Sequence, residues 1–163
     1  MKQNDNQQII DKLLKIKKGD NFIISGICGS GKTKLALNVF NKFTQNKSTY
    51  GNIIYFSVDE NKETIIEKLY EIQLKDKSEV LNNSLILCAP LTLKDFKKHI
   101  IENNIDIAFI DPFDMVSFEV VNNNLAMSYQ LTLNEIKKLG KELNISIILV
   151  QQAKRNNLSL SEF

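Results

Sequence analysis

The 163-residue chain has no tryptophan, one histidine, two cysteines, two prolines and only six glycines, and each scarcity removes a class of explanation. Cys28 and Cys88 are too few for a disulfide framework, and Cys88 lies in the apolar run LILCA, where burial is the expected state. His99 has no second imidazole to make a metal pair or a base dyad and reads as a solvent-facing structural residue. No apolar run approaches the roughly 18 residues of a membrane span, and the opening MKQNDNQQII is too polar for a secretory leader. No membrane partner and a cytoplasmic location are therefore expected. A surplus of one charge is also missing: 21 basic against 19 acidic residues leave a formal +2, so bulk electrostatics does not mark a nucleic-acid binder. Arginine is almost absent, with Arg155 standing alone, which argues against a small-molecule kinase closing an arginine-bearing lid over phosphates.

Set against the scarcity of glycine, residues 22–33, FIISGICGSGKT, stand out: an apolar run stops at Gly26 and continues as G-x-x-x-x-G-K-T. This is the pattern of a phosphate-binding loop. Gly26, Gly29 and Gly31 permit the tight backbone path that turns successive N–H groups toward a polyphosphate, and a helix opening at Lys32 adds its positive end. Lys32 is expected to reach the β- and γ-phosphates of ATP and Thr33 to hold Mg²⁺, with Cys28, Ser30 and Lys34 completing the nucleotide-contacting stretch. Cys28 occupies a variable position of the loop. The alternative is a glycine turn with no ligand, but a strand-like FIIS before the loop and a helix-like KLALNVFNKF after it favour the phosphate reading.

At 43% hydrophobic and 25% charged residues the chain can bury one core, with no room for a second domain. Residues 6–17 form a short amphipathic helix, so that residues 1–18 read as a helix and linker ahead of a domain over 19–163. Apolar runs at 52–58, 84–89, 105–111 and 145–150 join the first as five buried strands. Helices fall between them, carrying Ile65, Ile66, Leu69, Tyr70 and Ile72; Leu93, Phe96, Ile100 and Ile101; and Leu125, Tyr129, Leu133, Ile136, Leu139 and Leu143. Thr92 with Asp95 starts the second of these by a box-like cap, and Gly140 in the third marks a close approach. The alternation predicts an α/β, three-layer, mainly parallel sheet with helices on both faces.

In such sheets ligands gather at the carboxyl ends of the strands. Asp111 ends an apolar strand there and is the expected magnesium-orienting carboxylate, the alternative being a loop cap before Pro112. Asp59 and Glu60 end the second strand, where one of them can activate the water attacking the γ-phosphate; ordinary first-turn acids at a helix start are the competing reading. Gln151 and Gln152 end the last strand, where an amide can sense the γ-phosphate.

The order GDNFIISGICGSGKTKLALN, IIYFSVDE, IDIAFIDPFDMV and KKLGKELNISIILVQQAKR resembles the RecA-type core of the DnaB family of replicative helicases, and more widely KaiC-like and RadA-like ATPases, over about residues 19–155. The resemblance implies a catalytic glutamate at the position of Asp59, one methylene shorter here. It lays Gln152 on the family's sensor glutamine and Arg155 on the terminal arginine of the sensor motif. It also implies ring-type homo-oligomers with ATP between subunits, where Arg155 or Lys154 would act in trans, and single-stranded DNA as a partner. Two departures stand beside it. The family core continues past the sensor motif, which implies a sheet short of its last strands, its edge solvated, covered by the tail LSLSEF, or paired with another chain. The stretch after Asp111, PFDMVSFEVVNNN, falls in an interval from Lys98 to Lys137 with no other lysine or arginine, so DNA phosphates would have to be met by the residues after Gln152. Phe113 and Phe118 read either as base-stacking platforms or as contacts between protomers. The expected function is an ATP-binding, Mg²⁺-dependent NTPase that hydrolyses ATP in DNA replication or recombination. The alternative is a truncated regulatory module that co-assembles with a larger ATPase without being a motor.

Overall fold

A computed structural model describes residues 2–72, 85–116, 125–153 and 159–162. Helix α1 (Lys2–Leu13) leads to strand β1 (Asn21–Gly26), followed by α2 (Lys32–Gln45), the single turn α3 (Lys47–Tyr50) and β2 (Ile53–Ser57). Then come α4 (Lys62–Ile72), β3 (Leu85–Cys88), α5 (Leu93–Glu102), β4 (Ile107–Asp111), a 3₁₀ turn (Phe113–Met115), α6 (Leu125–Glu142), β5 (Ser146–Gln152) and β6 (Ser159–Glu162). The sheet order is β3-β2-β4-β5-β1-β6; the first five strands run parallel and β6 runs antiparallel to β1. The expected three-layer parallel architecture is the one that forms. The open sheet edge is that of β1, and of its three expected fates coverage by the tail is the one observed, with Ile24 opposite Leu160.

Buried apolar strands demand cover on both faces, and their period of two divides the core cleanly. Ile24, Tyr55, Phe109, Ile148 and Val150 face α1, α2 and α4, whereas Ile23, Phe56, Ile110, Ile147 and Leu149 face α5 and α6. Phe40 of α2 stands edge-on to Tyr55 and Phe109, at centroid distances of 5.3 and 5.7 Å, and Tyr55 stacks on Phe109 at 5.6 Å. These rings anchor the helix that follows the glycine loop. Ile10 and Leu13 of α1 are buried in the same cluster.

Local expectations met with two corrections among the helices. Thr92 caps α5 as its pairing with Asp95 predicts, accepting from the Asp95 N–H at 3.1 Å and donating to the Asp95 carboxylate at 2.6 Å. Ile101, expected in the buried stripe of α5, is 53% exposed, because Phe96 and Ile100 already define the inward line and the next residue lies about 100° around the helix. The N-terminal helix stops at Leu13, earlier than the periodicity implied, and Ile16 packs on the core from outside it. Gly140 does make its close approach: a Cβ there would sit 2.9 Å from Asn21 Oδ1.

Candidate nucleotide-binding site

The loop leaves β1 at Gly26 and enters α2 at Lys32, and its left-handed residues are Gly29 (φ 73°) and Gly31 (φ 91°). Positive φ is the backbone requirement at these two positions, where a Cβ would be strained. Gly26, grouped with them in the sequence reading, instead closes the strand and accepts the Ala153 N–H at 2.9 Å. No side chain caps α2 and no acidic residue occupies its first turn, so the helix start keeps its donors and positive end for a ligand. Lys32 Nζ donates to the Ile27 carbonyl at 2.9 Å, folding the ammonium over the loop. Ser30 Oγ is buried without a hydrogen-bond partner. Cys28 is exposed. A cleft of about 290 Å³ opens over this loop, lined by Gly29, Gly31, Lys32, Thr33, Lys34, Lys68 and Glu71.

Asp111 is 4% exposed at the end of β4. Its carboxylate accepts from the Tyr55 hydroxyl at 2.5 Å and is also hydrogen-bonded by the Thr33 side chain, so the two expected magnesium-holding residues meet directly. Burial pushes the Asp111 pKa up to about 6 against the pull of both hydrogen bonds, with Asp59 and Glu60 adding like charge. Burial, and then the Asp111 carboxylate, raise the Tyr55 phenol well above its ordinary value, so it stays a donor. The sheet order explains the spacing: β5 lies between the strand that carries the loop and the strand that carries Asp111. Alternation along β5 sets Gln152 on the α2 face with Val150. Gln151 falls on the other face, where its amide oxygen accepts from the Tyr129 hydroxyl. The Gln152 backbone N–H is held by Asp114 at 2.5 Å.

Asp59 and Glu60 follow β2 and have different surroundings. Asp59 is exposed as a residue, yet loss of water around its carboxyl and the neighbouring Glu60 charge raise its pKa. Glu60 is half-buried and ion-paired through Oε1 with Lys68 of α4, while its Oε2 is buried without a partner. Lys154, Arg155 and Phe118 lie outside the described residues. Phe113 is neither a base platform nor a protomer contact: it is fully buried, 5.1 Å from the Tyr129 ring, because the 3₁₀ turn after Pro112 folds it back beneath α6.

Four participants escaped the sequence reading. Tyr55 carried a signal, a hydroxyl in a strand buried on both faces and in phase with the strand-end residue Ser57, which lies opposite Asp111. Lys68 and Glu71 had only their positions in the second and third turns of α4, and Asp114 had none.

Among the described residues no group of three or more His, Cys, Asp and Glu is arranged to hold a metal ion, and no helix is long and apolar enough to cross a membrane. One buried carboxylate beside one hydroxyl nevertheless fits Mg²⁺, which is usually bound through one or two carboxylates together with substrate phosphates and water.

Solved structures share this fold. One of them, an ATPase domain, superposes with a TM-score of 0.74 at 16% identity, over 86% of this chain and 59% of that one. A DnaB-like replicative helicase, described together with its interactions with primase, gives 0.72 at 16% identity, over 85% of this chain and 40% of that one. The chain thus spans less than two thirds of either protein, and at such identity the likeness establishes the RecA-like fold of the DnaB-type ATPase domains alone. No curated protein matches the sequence. A model of the NB-ARC domain matches residues 2–93, which hold the glycine loop, its helix and the Asp59–Glu60 strand end. Loop geometry, sheet order and family match agree on a P-loop NTPase fold built to bind nucleotide, and with more than half its length matched the chain belongs to the NB-ARC domain family.

Proposed function

We propose that the chain binds ATP with Mg²⁺ at the Gly26–Lys34 loop and hydrolyses it as an assembling, cytoplasmic ATPase in DNA replication or recombination. The observation that carries this reading is the uncapped start of α2 at Lys32, set directly against the Thr33–Asp111 pair. Lys32 would leave the Ile27 carbonyl for the β- and γ-phosphates, and the amides of Gly29 to Thr33 would hold the phosphate oxygens. Thr33 and Asp111 would hold Mg²⁺, which when bound neutralises charge on the β- and γ-oxygens. Tyr55 keeps the Asp111 carboxylate aimed at Thr33. Asp59 or Glu60 would accept the proton of the attacking water, Gln152 would sense the terminal phosphate, and Arg155 would serve the site of a neighbouring subunit in a ring. Single-stranded DNA would be met by Lys154 and Arg155 beyond β5.

A second reading, a nucleotide-binding module that co-assembles with a larger ATPase and is no motor, is favoured by the absence of any lysine or arginine between Lys98 and Lys137. Steady-state ATP hydrolysis with and without single-stranded DNA, at several protein concentrations and beside Lys32→Ala, separates the two. Turnover that rises with protein and DNA and disappears in Lys32→Ala supports the assembling ATPase. Nucleotide binding without turnover under every condition overturns it in favour of the module.

A further inference from the structure

We infer that Lys68 is a further cation of the phosphate site, held on Glu60 until a γ-phosphate displaces that carboxylate. The inference rests on the nucleotide reading of the loop and extends it to a residue outside every phosphate-loop motif. Ile65 and Leu69 bury the inner line of α4 and fix its rotation, which leaves Lys68 on the flank that lines the cleft beside Lys32 and Thr33. Its side chain is 37% exposed, long and unbranched, so the ammonium can be handed from one anion to another without moving the helix. The carboxylate it now holds is half-satisfied: Glu60 Oε1 takes Lys68 while Oε2 is buried without a partner. Glu71, one turn further on, also lines the cleft and offers Lys68 no better partner than a more highly charged phosphate would. The third phosphate, the group a diphosphate lacks, would carry the added charge that draws the ammonium away from Glu60. Capture of Lys68 by that phosphate would release Glu60 Oε1, leaving both carboxylate oxygens able to accept hydrogen bonds from water. Lys68 is in these terms a triphosphate-selecting residue, and Glu60 the group it releases.

The test is a fluorescence titration of the full chain with Mg²⁺ and methylanthraniloyl-labelled nucleotides, a non-hydrolysable triphosphate analogue against the diphosphate. Lys68→Gln is expected to weaken the triphosphate roughly tenfold, the scale of one charge-assisted hydrogen bond, and to leave the diphosphate within about twofold. Lys68→Arg restores triphosphate binding, and Glu60→Gln tightens it by weakening the competing ion pair. Lys32→Ala weakens both nucleotides and reports on the loop itself. If Lys68→Gln changes neither ligand, or weakens both equally, while Lys32→Ala weakens both, the inference fails and the nucleotide site stands. If Lys32→Ala leaves both ligands as tight as wild type, the nucleotide reading fails and takes the inference with it.

Discussion

Asp111 is the residue at which local energetics and proposed chemistry pull in opposite directions. Its carboxyl is buried, and burial raises its pKa to about 6 from an ordinary value of 3.8 even though Tyr55 and Thr33 hydrogen-bond it. The folded state therefore holds its proton more tightly than the unfolded state does. The stability this group contributes is fully present below about pH 4 and is lost as pH rises through about 6. Without Mg²⁺, Asp111→Asn is expected to stabilise the protein at pH 7.5 by on the order of 2 kcal/mol, with the advantage vanishing near pH 4. Urea denaturation at the two pH values checks this, and an equal effect at both would contradict it. With Mg²⁺ and ATP present the proposed role of Asp111 predicts that the order reverses, since a carboxylate would hold the ion more strongly than an amide oxygen. The position was legible in the sequence because an apolar run ending in a carboxylate is an unusual pattern. Its hydrogen-bond partners were not, because Tyr55 lies 56 residues away along the chain and meets it only through the register that sets Ser57 opposite Asp111.

Among the elements, α5 and α2 show two opposite uses of a helix start. Thr92 fills the start of α5 with a side-chain acceptor, whereas Gly31 leaves the start of α2 open. Removing the first cap should be purely structural: Thr92→Ala is expected to lower stability by about 1 kcal/mol, Thr92→Ser by less, and neither to change nucleotide affinity. Chemical denaturation beside the nucleotide titration measures both quantities. Loss of nucleotide binding in Thr92→Ala would mean that α5 is coupled to the loop across the sheet, contrary to the separation of the two core layers. Elements of this kind were readable in sequence because their signals are local: a threonine three residues before an aspartate, glycines where φ must be positive, apolar runs of strand length. Rotation about a helix axis was less so. Ile101 follows Ile100 directly and is as apolar, yet one is buried and the other exposed, a choice made by the sheet surface beneath them.

For the whole molecule, the deciding contact is the one between β1 and β6. Five parallel strands leave β1, the strand that carries the phosphate loop, at a sheet margin, and an exposed margin is a template for pairing with another chain. The short strand Ser159–Glu162 occupies it, antiparallel, from Ser25 opposite Ser159 to Phe22 opposite Glu162. An open edge and three fates for it are legible in the sequence but the choice among them is not, because four residues of alternating leucine, serine and glutamate have too little pattern to declare a partner strand. In an antiparallel pair alternate residues aim their N–H groups at the neighbour. Replacing both Leu160 and Ser161 by proline therefore removes at least one N–H that β1 accepts, whichever of the two faces it. The double variant is expected to free the β1 edge and to self-associate in a concentration-dependent manner, measurable by light scattering or sedimentation. Its nucleotide affinity should fall only modestly, because β5 still braces β1 from the other side through all six of its residues. A variant that stays as dispersed as the wild type would mean that the β1 edge needs no cover, and that β6 serves the molecule in some way other than closing its sheet.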